Sequence, residues 1–225
     1  MKKNSSAIIF WGALWGLEEA TLGHLLHVTT LNIGWFIWFP LAYFFMYQVF
    51  KQTGKLNSIL FTAIVAAAIK FVNLFMTVNL VIVICPALSI LLEGISLFAF
   101  LKLTDGKKYM PKYKLAEIVT VSLVWRILFL IGLLALPTWI MSTYPFKGVF
   151  AIFKFILYEG TLNGLFIYGI IVLVKTINEI VEKKNTYIKP FTEKIIKSKV
   201  IESISYKPVV SLSILAITLI IQWML

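Results

Sequence analysis

One cysteine, two histidines and ten acidic residues are all that a chain of 225 residues offers of the groups most often used in redox, metal and acid–base chemistry. Cys85 alone cannot form an internal disulfide and has no partner for a thiolate metal site, which removes redox chemistry from consideration. His24 and His27 stand three residues apart with a glutamate nearby, a fragment of a metal site and not a full ligand set, so no metal is expected. Charge is scarce too. Charged residues make up 14% of the chain and hydrophobic ones 60%, against roughly 25% and 45–50% in soluble domains. The chain is therefore expected to be an integral membrane protein of all-α class. No glycine-rich phosphate loop is present, so the chain has no means of its own to use a nucleotide.

The few acids are outnumbered by 21 lysines and arginines, a formal charge of +11. In a soluble protein that balance would suggest nucleic acid; here the lysines sit in the connections between apolar runs, where membrane topology explains them. Seven runs approach the roughly 20 residues a spanning helix needs: 7–28, 32–50, 57–77, 84–103, 115–136, 148–174 and 208–225. Lysines collect in alternate connections, Lys51 and Lys55 after the second run and five from Lys102 to Lys114 after the fourth. Eight more lie between Lys175 and Lys207, whereas the other connections hold only Lys147. This alternation places the N-terminus in the cytoplasm of a multi-pass plasma-membrane protein. The expected division is a six-helix transmembrane core over 1–175, a basic amphipathic cytoplasmic segment over 176–207, and a seventh hydrophobic helix over 208–225 as an appendage. The N-terminal run continues to about Val28 without a small-x-small cleavage site, so it is read as a retained helix.

Polar residues inside these runs are the informative ones, because a charge at mid-bilayer costs at least about 2.5–3.5 kcal/mol and usually faces a bundle interior or a cavity. In "WGLEEATLGHLLH", helical spacing puts Gly12, Gly16, Glu19, Ala20, Gly23 and His27 on one third of the first helix, while Glu18 and His24 point elsewhere. Small residues on that stripe permit close helix approach. The third run carries Lys70 and Asn73 on one face, and the fourth places Pro86 at a first-turn position with Glu93 following. A turn near 77–83 would bring Lys70 and Glu93 to similar depth, where they can pair. Arg126 follows in the fifth run, and Lys154, Glu159 and Asn163 in the sixth, with Gly160 and Gly164 as another close-approach stripe. Four acids against three bases leave a nearly neutral network. With the N-terminus inside, the polar residues cluster in the middle and outer half, as a cup open to the exterior and suited to capturing a solute. A set of ion pairs that only braces the helices is the alternative. Glu-Gly recurs at 93–94 and 159–160, which apolar composition explains as coincidence.

The stretches "GALWGLEEATLGHLLH", "AAAIKFVNLFM" and "CPALSILLEGISLF", with the size and topology of residues 1–175, resemble the substrate-binding S component of energy-coupling factor vitamin transporters. The resemblance implies a subunit that is not itself an enzyme, needs no cofactor, and captures a vitamin or micronutrient in an outward-facing cavity. It also implies a transmembrane coupling subunit and two ATPases as partners, besides the lipid bilayer. Glu19, His27, Lys70, Asn73, Glu93, Arg126 and Glu159 are the expected substrate-binding residues. Gly12, Gly16 and Ala20 stand where S components present small residues to the coupling subunit, as Gly-x-x-x-Gly-x-x-x-Ala in place of the family's Ala-x-x-x-Ala. A seventh helix departs from the family's six. An intramembrane glutamate protease is the competing reading, since "EEATLG" is similar to the paired Glu of that class; Gly23, however, occupies the place of its Arg, and both histidines share the helix of the glutamates. Aromatic residues, among them Trp15, Trp35 and Trp38, serve packing or wall the cup.

Overall fold

The computed structural model describes residues 3–28, 34–75, 80–104, 115–137, 148–184 and 199–224. Every regular element among them is helical: α1 (Lys3–Val28), α2 (Gly34–Thr53), α3 (Asn57–Phe71) prolonged by a 3-10 turn (Val72–Phe75), α4 (Val81–Leu103), α5 (Leu115–Leu134), α6 (Val149–Phe153), α7 (Gly160–Lys184), α8 (Lys199–Ser205) and α9 (Pro208–Met224). Between α6 and α7 the chain keeps winding as a π turn over Lys154–Glu159, so α6, the π turn and α7 form one long helix.

Four helical stretches are long and apolar enough to cross a membrane: Asn57–Phe75, Val81–Leu103, Leu115–Leu134 and Val149–Ile177. The chain is accordingly an all-helical membrane protein. The apolar character of α1 is diluted by Glu18 and Glu19, and that of α2 by Trp, Tyr, Gln48 and Lys51. At 17 residues α9 is shorter than these four stretches, about 26 Å at the α-helical rise.

Close packing at small residues sets the helix order. A Cβ on Gly12 would lie 2.7 Å from Val65, and one on Gly16 would lie 2.7 Å from Ile69, so α1 and α3 run side by side in the same direction with their backbones nearly touching. Gly94 meets Ala63 at 2.6 Å in the same sense, which joins α4 to α3. Gly164 sits against Val119, and Gly160 against Leu123, which joins α7 to α5 in antiparallel fashion. Aromatic rings fill the remaining centre: Trp15, fully buried, stacks on Phe45 of α2, and Trp125 of α5 stacks on Phe39.

Two expectations are corrected here. Pro86 lies inside α4 and not in its first turn, because the helix starts at Val81, where Val83 and Ile84 both donate to the Leu80 carbonyl. An earlier start keeps backbone groups internally satisfied, as an apolar environment demands. The helix α7 itself continues unbroken to Lys184, past the end of its apolar span at Ile177. Finally, α9 is no appendage. It packs along α1 as closely as any helix pair in the bundle, and the Thr218 hydroxyl donates to the Ala13 carbonyl at 3.2 Å. At its start, Ser205 Oγ and Trp11 Nε1 both donate to Gln52 Oε1, at 2.8 and 3.0 Å, tying α8, α1 and α2 together.

Candidate functional site

Arg126 is the only arginine of the sequence. It is 0% exposed. One of its terminal nitrogens donates to Glu159 Oε2 at 3.0 Å and to the Phe155 carbonyl at 3.1 Å. The guanidinium lies 4.8 Å from the Trp125 ring centre and 4.6 Å from that of Phe155, so aromatic faces supply further stabilisation of its charge. Two local features make the site possible. The π turn carries both Phe155 and Glu159, and such turns recur at functional positions. Gly160 then leaves the space that the arginine stem fills, since a Cβ there would come within 3.3 Å of Arg126 Cδ.

Glu93 on α4 is the second deeply buried charge, 2% exposed, and accepts a 3.2 Å hydrogen bond from Ser89 one turn earlier. It lies within electrostatic reach of both Arg126 and Glu19. Glu18 and Glu19, half-buried on α1, lie within electrostatic reach of Lys70 of α3, and Glu18 is also in reach of Glu93. Lys154 closes the other end beside Glu159. The charged residues of five helical segments thus form one continuous line: Lys70, the Glu18–Glu19 pair, Glu93, Arg126, Glu159 and Lys154. Within it the Arg126–Glu159 contact is a formed ion pair. By contrast, both Glu18 carboxylate oxygens are buried with no hydrogen-bond donor among the described residues.

Five of the expected substrate residues, Glu19, Lys70, Glu93, Arg126 and Glu159, are brought together. Asn73 stands in the 3-10 turn beyond Lys70, its Oδ1 buried and without a hydrogen-bond partner among the described residues. The side chain of His27, like those of His24 and Trp35, lies outside the described residues. The mouth of the expected cup falls largely on 29–33, 76–79 and 138–147, which are also outside them.

Lys70 and Glu93 do not pair. Gly94 abuts Ala63, so Glu93 sits about two turns, roughly 10 Å, along α3 from Lys70. The small-residue stripe of α1 is also redirected: Gly12 and Gly16 are covered by α3 of the same chain, and Ala20 is 3% exposed. It is internal packing and not a free face for a partner's helix.

Glu18 was absent from the expected site because the glycine stripe set the reference face of α1. A second seam carries the missing signal: Trp11, Trp15 and Glu18 follow at four- and three-residue spacing, and both tryptophans are buried. Lys154 and Ser89 are the other additions. The two Glu-Gly pairs also have parallel local roles, each placing its glutamate within reach of Arg126 and its glycine at a close helix contact.

A cavity of about 680 Å³ lies elsewhere, between α2 and α7, and none of the expected site residues is in its wall. Among the described residues, no group of three or more His, Cys, Asp or Glu side chains is arranged to hold a metal ion. No family model matches the chain, and no curated protein or solved structure is significantly similar to it.

Proposed function

We propose that this chain is a small-solute-binding subunit of a membrane uptake system of the S-component type, with Glu18, Glu19, Lys70 and Glu93 at its substrate site. The observation that carries the reading is the Glu18 carboxylate, buried on both oxygens without a donor among the described residues. Burying a carboxyl group without hydrogen-bond partners is costly, and natural membrane proteins keep such residues where function uses them. A solute presenting N–H or O–H donors meets the need. Arg126 and Glu159 satisfy one another and act as the rigid wall against which Glu93 is held.

In this reading all six long helices span the plasma membrane, with α9 crossing alongside α1, and the lysine-rich ends face the cytoplasm. The solute then enters from outside, through the ends of α1 and α3 beyond Glu19 and Asn73. Movement is driven by separate ATPases through a coupling subunit. That subunit must approach a surface other than the α1 glycine stripe, which α3 occupies.

The test is affinity purification from native membranes in mild detergent, followed by mass spectrometry of the co-purifying proteins and small molecules. Recovery of a vitamin-like compound or of a membrane subunit with ATPases supports the reading. Recovery of neither, together with loss of a proteolytic phenotype on Glu18→Gln and Glu19→Gln substitution, replaces it with the glutamate-enzyme reading.

A further inference from the structure

The cavity between α2 and α7 is chemically unlike the charged line, and the proposed solute site makes no use of it. Its volume of about 680 Å³ lies within the roughly 300–1,000 Å³ typical of small-molecule sites. Phe36 meets Phe166 at 4.3 Å at one end, and from there both helices descend in the same direction, past Pro40 and Ile170, to Gln48 and Val174. The wall is apolar for most of this length, its polar atoms coming from Tyr43, Tyr47 and Gln48 of α2. Ile37 to Gln48 covers about 17 Å of helix. An elongated apolar groove of that length suits extended hydrocarbon.

What lies at the Gln48 end decides which hydrocarbon. Lys51 follows Tyr47 by four residues and Lys175 follows Ile171 by four, so each wall helix presents a lysine on the groove face one turn beyond the cavity. Both lysines are exposed. Lys175 stands 3.8 Å from Glu179 across two solvated side chains, a contact too weak to withhold it from an anion. An apolar groove whose two wall helices each carry a lysine one turn beyond it complements an anionic amphiphile.

We propose that the α2–α7 groove binds the hydrocarbon of one anionic phospholipid, whose phosphate is held between Lys51 and Lys175. The experiment uses the full chain purified in detergent, incubated with phosphatidylglycerol or phosphatidylcholine of identical acyl chains, with retained lipid counted by native mass spectrometry. Each lysine near a lipid surface is worth about a fivefold gain for an anionic headgroup, so phosphatidylglycerol is expected to be preferred by about thirty-fold. The Lys51→Ala/Lys175→Ala variant should lose that preference, and Glu179→Gln should increase it. Ile170→Trp, which fills the channel, should displace both lipids, while Ile131→Trp on the exposed face of α5 should displace neither. Equal retention of the two lipids by the wild type, or a preference that survives removal of both lysines, overturns the proposal. The lysines are solvent-exposed, so that variant keeps the test decisive even where Ile170→Trp fails to fold.

Discussion

Arg126 and Glu159 form a 3.0 Å ion pair in which the arginine is wholly buried and the glutamate side chain is 13% exposed. The same guanidinium nitrogen also donates to the Phe155 carbonyl, inside the π turn that carries the glutamate. One cation therefore ties α5 to the π turn that joins α6 and α7. Removing it strands a carboxylate and a carbonyl in an apolar setting. Arg126→Met is expected to destabilise the protein by about 3–5 kcal/mol, the cost of breaking a buried pair. Arg126→Met/Glu159→Leu should recover much of that loss, as thermal unfolding in detergent will measure.

Glycine substitutions test the helix contacts. Gly164→Ala drives a methyl group to within 2.7 Å of the Val119 backbone and is expected to cost about 1–3 kcal/mol as overpacking. Gly169, further along the same helix, has nothing within 4 Å of its added Cβ. Gly169→Ala should instead be neutral or stabilising by up to about 1 kcal/mol, through helix propensity alone. Equal effects at the two positions, read by thermal unfolding, would contradict the α5–α7 packing.

Gln52 predicts how firmly the C-terminal arm is held. Its side-chain oxygen receives Trp11 Nε1 and Ser205 Oγ, while its backbone carbonyl receives the Tyr206 hydroxyl. Gln52→Leu leaves two donors without their acceptor, at an expected cost of about 1–3 kcal/mol. Limited proteolysis should then release the α8–α9 region faster than in the wild type.

Much of this architecture was legible in the residues. The apolar runs locate the helices, and the stripes at Gly12–Gly16 and Gly160–Gly164 mark real close contacts, because a missing Cβ is a local property that tertiary packing exploits directly. The identity of the neighbour is not local, which is why the α1 stripe suggested a partner subunit when α3 fills it. The Lys70–Glu93 pairing failed for a related reason: helical periodicity assigns a face, but the axial offset between α3 and α4 is set where Gly94 meets Ala63. The docking of α9 was illegible for want of any sequence link between Thr218 and Ala13, which lie 205 positions apart.

The Glu18 site carries an opposition between stability and function. Glu18→Gln removes a buried carboxyl group that has no donor among the described residues and lies within electrostatic reach of Glu19 and Glu93, so it is expected to raise Tm by about 2–4 °C, the shift 1 kcal/mol produces at this chain length. A drop of similar size would show that the carboxylate is a structural partner within the bundle.

The most direct measurement is a comparison of small molecules retained by the wild type, Glu18→Gln and Glu93→Gln proteins, purified in parallel and extracted for mass spectrometry. A compound present with the wild type and depleted at least about tenfold by either substitution, a loss equivalent to about 1.4 kcal/mol, is the predicted result. Retention of the same compounds by all three folded proteins would contradict the assignment of the buried charges to a solute site.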